Sequence, residues 1–323
     1  RAIDNLKQKA VSNLKRAAEL SNYDSKVTVR LLRAYHKMNQ PEQGINLFET
    51  KIPASRQEPP VMLAYARLLA QRGDTQAAAR VYCVALQAGG FGSFEFMTQV
   101  AALAYQSLGK EAAVQVFEQP PADVRLEQAR QHILALLYQA NNEFEQTMAQ
   151  NQKLLDTATD DKEKVSILLR MGIAHTEMSK DFAAAKALYE QALEINPDSL
   201  MALNNLAFLL TDQLDQPSLA VPYAQRAANL SRSPAVVDTL GWAYLRLGRY
   251  REAIAQLTMA RQEDVSYLPV AYHLGEAYRR EGQFENAVEL FNEVLRAPEI
   301  SLDADYRRMA QEGLAKAESR SQD

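Results

Sequence analysis

The feature that most constrains the fold is a sequence repeat with a period of 34 residues in the C-terminal half. Residues 234–260 and 268–297 superpose at this offset. The matched pairs are Leu240 and Leu274, Gly241 and Gly275, Tyr244 and Tyr278, Gly248 and Gly282, Tyr250 and Phe284, Ala253 and Ala287, and Leu257 and Phe291. A period of this length is typical of solenoids, in which each unit packs only against its neighbours. The apolar residues of each unit recur at helical spacing, so we predict an all-α repeat protein.

The order of small and aromatic residues in this unit resembles the tetratricopeptide repeat family, whose helix-turn-helix unit has 34 residues. Residues 187–199, which read ALYEQALEINPDS, are similar to the second helix of that unit. Weaker copies of this repeat unit occur toward the N-terminus at about the same period. The resemblance implies eight repeats that begin near residues 25, 59, 95, 128, 165, 200, 234 and 268, in a right-handed superhelical solenoid.

The repeats occupy residues 25–301 in this interpretation. Residues 1–24 resemble the second helix of a preceding, truncated repeat, and residues 302–323 are predicted to form a C-terminal capping helix and tail. The chain begins at Arg1 and shows no targeting segment, so we expect a fragment of a longer protein. The polar stretch 156–164 lengthens one connection, and whether it acts as a hinge is left open.

The composition and charge of the chain limit the classes of function that it can have. The formal net charge is −4, with one cysteine and no apolar run long enough to cross a bilayer. Residues 1–40 carry nine Lys or Arg against three Asp or Glu, whereas residues 161–323 carry 18 against 24. The acidic balance argues against a nucleic-acid binder, and no direct membrane insertion is expected. Two cellular locations are compatible with the sequence, a bacterial periplasm or envelope and the cytoplasm.

The sequence offers few candidates for catalysis. The four histidines have no zinc-type spacing, and His175 is interpreted as a packed, hydrogen-bonded histidine. The glycine-rich stretch 89–93 lacks the ending of a phosphate-binding loop, and Cys83 has no cationic neighbour in sequence. We therefore predict no enzymatic activity, no cofactor and no metal site.

The resemblance implies that the first helix of each repeat lines a concave groove. The positions that would face this groove near the C-terminal end are Asn204, Phe208, Trp242, Arg246, Tyr272, Arg279 and Arg280. The N-terminal end would be basic, through Lys26, Arg30, Arg33 and Lys37. Phe208, Trp242 and Tyr272 are predicted to anchor a partner, because aromatic residues dominate binding hot spots. An alternative is that Trp242 only packs between adjacent first helices.

Two functional hypotheses follow from the sequence. The first is a non-enzymatic scaffold that binds a protein or peptide segment in its groove, with Asn204 bonding to the segment's backbone and an acidic group meeting Arg246, Arg279 or Arg280. The second is an assembly domain of a longer bacterial envelope or exopolysaccharide-export protein. Apolar residues of the first helix, among them Ile3 and Leu6, also predict an exposed N-terminal edge that favours self-association.

Overall fold

The computed structural model describes residues 2–298 and 304–321, with side chains described from Leu6 onward and, in the last helix, for residues 305–320. Arg1, the side chain of Ile3 and the predicted boundary between the repeats and the cap at 301 and 302 lie outside these described residues. Within them every regular element is helical and no strand occurs. The predicted all-α repeat fold is confirmed.

The first ten helices belong to one compact unit, Arg1–Ala174. They are α1 (Ala2–Leu20), α2 (Ser25–Lys37), α3 (Pro41–Lys51), α4 (Pro59–Arg72), α5 (Thr75–Gly89), α6 (Phe94–Leu108), α7 (Lys110–Glu118), α8 (Glu127–Ala140), α9 (Phe144–Thr157) and α10 (Asp161–Ala174). Helices α2, α4, α6 and α8 pack against one another in series, and each contacts the helix that follows it.

The second compact unit is His175–Asp323. Its helices are α11 (Phe182–Ile195), α12 (Leu200–Phe208), α13 (Pro217–Leu230), α14 (Pro234–Arg246), α15 (Tyr250–Glu263), α16 (Leu268–Glu281), α17 (Phe284–Arg296) and α18 (Ala304–Ser321), with π-helical stretches at His175–Ser179 and Leu209–Gln213. Helices α12, α14 and α16 pack in series, and each also contacts the helix that follows it. The fifth predicted repeat crosses the boundary between the units, and the division into eight repeats stays a prediction.

Local chemistry explains where the helices begin and end. The Asp24 carboxylate accepts hydrogen bonds from the backbone N–H groups of Lys26 and Val27 and so caps the start of α2. Helix α16 ends at Gly282, whose φ of 86° is one that residues with a Cβ rarely adopt. Asn39 and Asn142 adopt positive φ at other turns, as asparagine tolerates.

One sequence expectation needs correction, and one proline has an unusual position. Only residues 158–160 of the polar stretch 156–164 lie outside helices, since α9 continues to Thr157 and α10 begins at Asp161. One proline, Pro222, lies inside helix α13. Its ring removes one backbone donor from that helix, which the rest of α13 tolerates.

The N-terminal helix buries one face and exposes another. Val11 and Ala18 are buried in the core of the first unit, whereas Leu6 and Leu20 are 68% and 80% exposed. This arrangement agrees with an apolar edge on α1. Whether the edge mediates self-association stays a prediction.

The matched glycines of the repeat allow paired helices to approach closely. A Cβ atom placed on Gly241 of α14 would lie 2.5 Å from Cγ of Leu257 in α15. That separation is well inside van der Waals contact, and the Leu257 side chain is fully buried. A glycine is therefore required where these two helices meet.

We expect Gly241→Val to lower the free energy of unfolding by about 1–3 kcal/mol, because overpacking outweighs any gain in helix propensity. Urea unfolding followed by far-UV circular dichroism measures the change. The control is Ala255→Val, which places the same valine side chain on an exposed face of α15. Equal midpoints for the two variants would contradict the close approach seen at Gly241.

Candidate functional site

The predicted anchor residues of the second unit come from its three successive first helices, α12, α14 and α16. The 34-residue period aligns residues at equivalent positions of these repeats in three rows. The rows are Asn204, Asp238 and Tyr272; Phe208, Trp242 and Glu276; and Asp212, Arg246 and Arg280. We call Phe208, Trp242, Tyr272 and His273 the aromatic patch. The helices that carry it are in contact with their neighbours in the series.

Trp242 is half-buried and held by three side chains. Its ring stacks on the imidazole of His273, with 4.3 Å between the ring centroids. Its Nε1–H donates to Oδ1 of Asp212 at 3.3 Å, and the guanidinium of Arg246 lies 5.6 Å from the ring centroid. The indole is therefore fixed before any partner arrives and keeps part of its surface exposed. Trp242 packs between helices and still presents surface, and its role as an anchor for a partner stays a prediction.

The two other predicted anchors differ in exposure. Phe208 is 36% exposed and offers its ring to solvent, whereas Tyr272 is only 7% exposed. Tyr272 packs against Phe291 and, edge to face, against Tyr306 of α18. Burial raises the pKa of the Tyr272 phenol to about 12. Tyr272 therefore supports the aromatic patch from behind rather than contacting solvent as Phe208 does.

The predicted arginines are already paired within the unit. Arg246 donates to Asp215 at 2.8 Å, and Arg279 and Arg280 donate to Glu276 at 2.5 Å and 2.8 Å. These carboxylates are paired with the guanidinium groups that were expected to bind an acidic group of a partner. The spacing of three and four residues between Glu276 and the two arginines of α16 was a sign of their pairing that sequence reasoning missed, whereas nothing in the spacing indicated Asp215 as the partner of Arg246.

Asn204 differs from the other polar residues of the site. Its Oδ1 atom is buried and makes no hydrogen bond with any described residue. A buried carboxamide oxygen without a partner costs free energy that an incoming donor would recover. Asn204 thus suits the predicted role of bonding to a backbone, which stays a prediction.

The predicted basic face lies on α2 in the first unit. Lys26, Arg30, Arg33 and Lys37 recur every three or four residues, and all four side chains are exposed. None of them forms an ion pair with a described residue, in contrast to the paired arginines of the second unit. The α2 face therefore presents uncompensated positive charge.

Sequence reasoning missed two buried polar groups. Beneath Trp242, Nδ1 of His273 lies 2.7 Å from Oδ1 of Asp238, and both residues are buried. An ionised carboxylate only accepts, so Nδ1 carries the proton in this bond. The spacing of 35 residues between the two, one more than the repeat period, was the available signal.

The second missed group is in the first unit, around Arg170. Arg170 is fully buried and donates to Oδ1 of Asn151 at 2.9 Å and to Nδ1 of His132 at 3.1 Å. The Nε2–H of His132 donates in turn to Glu163 at 2.8 Å, which fixes the tautomer. Burial is the main cause that lowers the pKa of His132 to about 4. The sequence signal for this group was Arg170, the single charged residue in the apolar run 165–174.

The other residues considered for catalysis or metal binding lie in surroundings that favour a structural role. Cys83 is buried, and burial raises the pKa of its thiol to about 12, which makes the thiolate scarce. His175 is half-buried, with Nδ1 at 3.1 Å from Oγ of Ser179. Across residues 2–298 and 304–321, no three metal-ligating side chains converge. Over the same residues, no helix combines the length and apolarity needed to cross a membrane.

Stacked helix pairs and a patch of aromatic and charged side chains on successive first helices define a helical-repeat protein. Comparison with known families agrees, because tetratricopeptide repeat profiles match residues 167–199 and 239–299. These two stretches are therefore tetratricopeptide repeats, as the resemblance in the sequence predicted.

Individual proteins resemble parts of the chain. A stretch of 138 residues is 32% identical to the general transcriptional corepressor trfA of Dictyostelium discoideum, over 41% of this chain and 10% of that protein. The chain thus spans about a tenth of that relative. The crystal structure of PilW, described as a widely conserved type IV pilus biogenesis factor, is 20% identical with a TM-score of 0.50, over 61% of this chain and 90% of that one. MamA from Desulfovibrio magneticus RS-1 is 19% identical with a TM-score of 0.46, over 52% and 93%. The likeness to PilW shows the fold alone.

Proposed function

We propose that the protein is a non-enzymatic interaction scaffold, which binds a segment of a protein partner against the aromatic patch. The observation that carries this proposal is the half-exposed indole of Trp242, held by His273, Asp212 and Arg246. A large ring fixed in its bound orientation loses little entropy on binding. Tetratricopeptide repeats generally serve as protein interaction scaffolds, which supports the same conclusion.

Asn204 and Phe208 complete the proposed contact surface. Phe208 offers exposed apolar area, and Asn204 offers a carboxamide whose Oδ1 atom has no hydrogen-bond partner among the described residues. Tyr272 contributes by supporting the patch from behind. An apolar side chain of the segment would rest on Phe208 and Trp242 while its backbone bonds to Asn204.

The basic face of α2 is proposed as a separate contact for acidic groups. Exposed charges of this kind add little affinity in salt but accelerate association. Lys26, Arg30, Arg33 and Lys37 are therefore proposed to steer a partner rather than to anchor it. The second hypothesis, an assembly domain of a longer envelope protein, would use the same surfaces and differs in what the rest of that protein does.

Trp242→Ala is expected to weaken partner binding by about 2 kcal/mol or more, which is roughly a 30-fold loss of affinity. The probe is a set of linear peptides selected on the whole chain from a random 12-residue library displayed on phage. Isothermal titration calorimetry of the synthetic peptides measures the loss.

Tyr244→Ala is the matched control, because Tyr244 is a half-buried aromatic residue of the same helix that bonds to Gln225 of α13. It is expected to leave peptide affinity unchanged. Peptides that bind the wild-type chain and the Trp242→Ala chain equally well would refute the proposed site.

A further inference from the structure

The charges around Trp242 indicate which kind of segment the aromatic patch recognises. The sequence led us to expect an acidic group that meets Arg246, Arg279 or Arg280. Each of these guanidinium groups already donates to a carboxylate of the same unit, at 2.5–2.8 Å. An acidic partner would therefore meet guanidinium groups whose charge is already partly balanced, so it would gain less than at an unpaired arginine.

Carboxylates outnumber the cations next to the indole. Asp212 lies 3.3 Å from Nε1 of Trp242, and Asp215 lies 2.8 Å from the guanidinium of Arg246. Asp238 lies behind the indole, where His273 bonds to it. Arg246 is the arginine that faces Asp212 and Asp215 together, at 3.8 Å and 2.8 Å. One guanidinium cannot neutralise both carboxylates.

The two carboxylates beside Arg246 remain accessible. The side chain of Asp215 is 81% exposed and that of Asp212 is 31% exposed. A carboxylate has two oxygens with about four acceptor positions, and the bonds described here fill only some of them. Acceptor positions therefore remain open to a donor from solvent or from a partner.

Tyr306 of α18 reports the same excess of negative charge. Its phenol lies near His273, and its pKa is raised first by burial and then by the charges of Asp238 and Asp212, among others. Arg246 itself shows that a cation is accommodated over the indole at 5.6 Å.

We propose that the segment recognised by the aromatic patch carries a lysine or arginine next to its apolar anchor, with the cation bound by Asp212 and Asp215. This inference rests on the proposed function of the patch and reverses the sequence expectation of an acidic group. It also separates the two units by chemistry, because the α2 face of the first unit has unpaired cations and the patch of the second unit has excess carboxylate.

The peptides selected on the whole chain test this inference directly. We expect peptides whose binding depends on Trp242 to be enriched in Lys or Arg beside an apolar residue, at about 0.15 M salt, where distant charges are screened. For one such peptide, replacing its lysine by glutamate should weaken binding at least about tenfold, because like charges would meet.

Asp215→Asn removes the charge and preserves the backbone, since Asp215 adopts a φ of 51° that asparagine tolerates. This variant should weaken binding of the lysine peptide by about 2- to 5-fold, the range expected for loss of an exposed ion pair. It should leave unchanged a peptide that has norleucine in place of the lysine. Asp198→Asn, which alters an exposed aspartate of the same unit paired with Arg226, is the control and should affect neither peptide.

The outcomes separate the two proposals. Peptides that depend on Trp242 but are enriched in Asp or Glu would overturn the inference and leave the proposed function standing. Equal affinity of the lysine and glutamate peptides would have the same meaning. A selection that yields no peptide dependent on Trp242 would overturn both.

Discussion

Arg170→Ala is expected to lower the free energy of unfolding of the first unit by about 3–5 kcal/mol. Arg170 is fully buried, and its guanidinium bonds to Asn151 and His132 while its charge balances that of Glu163. The substitution leaves a cavity and a buried carboxylate without its balancing cation. Urea unfolding followed by far-UV circular dichroism should show the unit unfolding about 1–2 M earlier.

Two further variants separate charge balance from simple loss of volume. The double variant Arg170→Met and Glu163→Gln removes both charges and keeps most of the volume, so it should recover much of the lost stability. Arg80→Ala, at an exposed arginine of α5, should change stability by less than about 0.5 kcal/mol. A double variant no more stable than Arg170→Ala would show that packing alone explains the loss.

Phe291→Ala is expected to destabilise the second unit by about 3–5 kcal/mol. The Phe291 ring is fully buried, and it fills the space that a Cβ atom would need at Gly275 of α16 and at Gly313 of α18. Its removal leaves a cavity between three helices and withdraws support from Tyr272. Trp242 is the sole tryptophan, so its fluorescence during urea unfolding reports this unit.

Gly313→Ala provides a reciprocal test of this packing. A Cβ atom at Gly313 would lie 2.6 Å from Cζ of Phe291, so the substitution should destabilise the wild-type chain. In the Phe291→Ala chain the same methyl group enters the cavity, and alanine also favours the helix more than glycine does. Gly313→Ala should therefore be harmless or stabilising there. Additive effects of the two substitutions would contradict the contact.

The sequence alone determined the helical architecture, because each repeat encodes its own helices and turns. Apolar residues at helical spacing, small residues such as Gly241 and glycines at helix ends such as Gly282 act within a few tens of residues. The 34-residue period also aligned Phe208 with Trp242 on successive helices. These features are local, so one unit of the repeat predicts the next.

The tertiary structure decided which of the aligned side chains are available. Tyr272 is buried because α18 packs over it through Tyr306, and the pairing of Arg246 with Asp215 depends on the turn that follows Leu209–Gln213. The cluster around Arg170 joins residues from α8, α9 and α10, and the single charge of Arg170 in an apolar run was its one sign in the sequence. Burial and the pairing of Arg246 with Asp215 depend on groups from different elements, so no single repeat contains that information, whereas the pairs of Glu276 with Arg279 and Arg280 are local to α16. The sequence therefore predicted the rows of side chains on the first helices, whereas packing between helices determined their exposure and net charge.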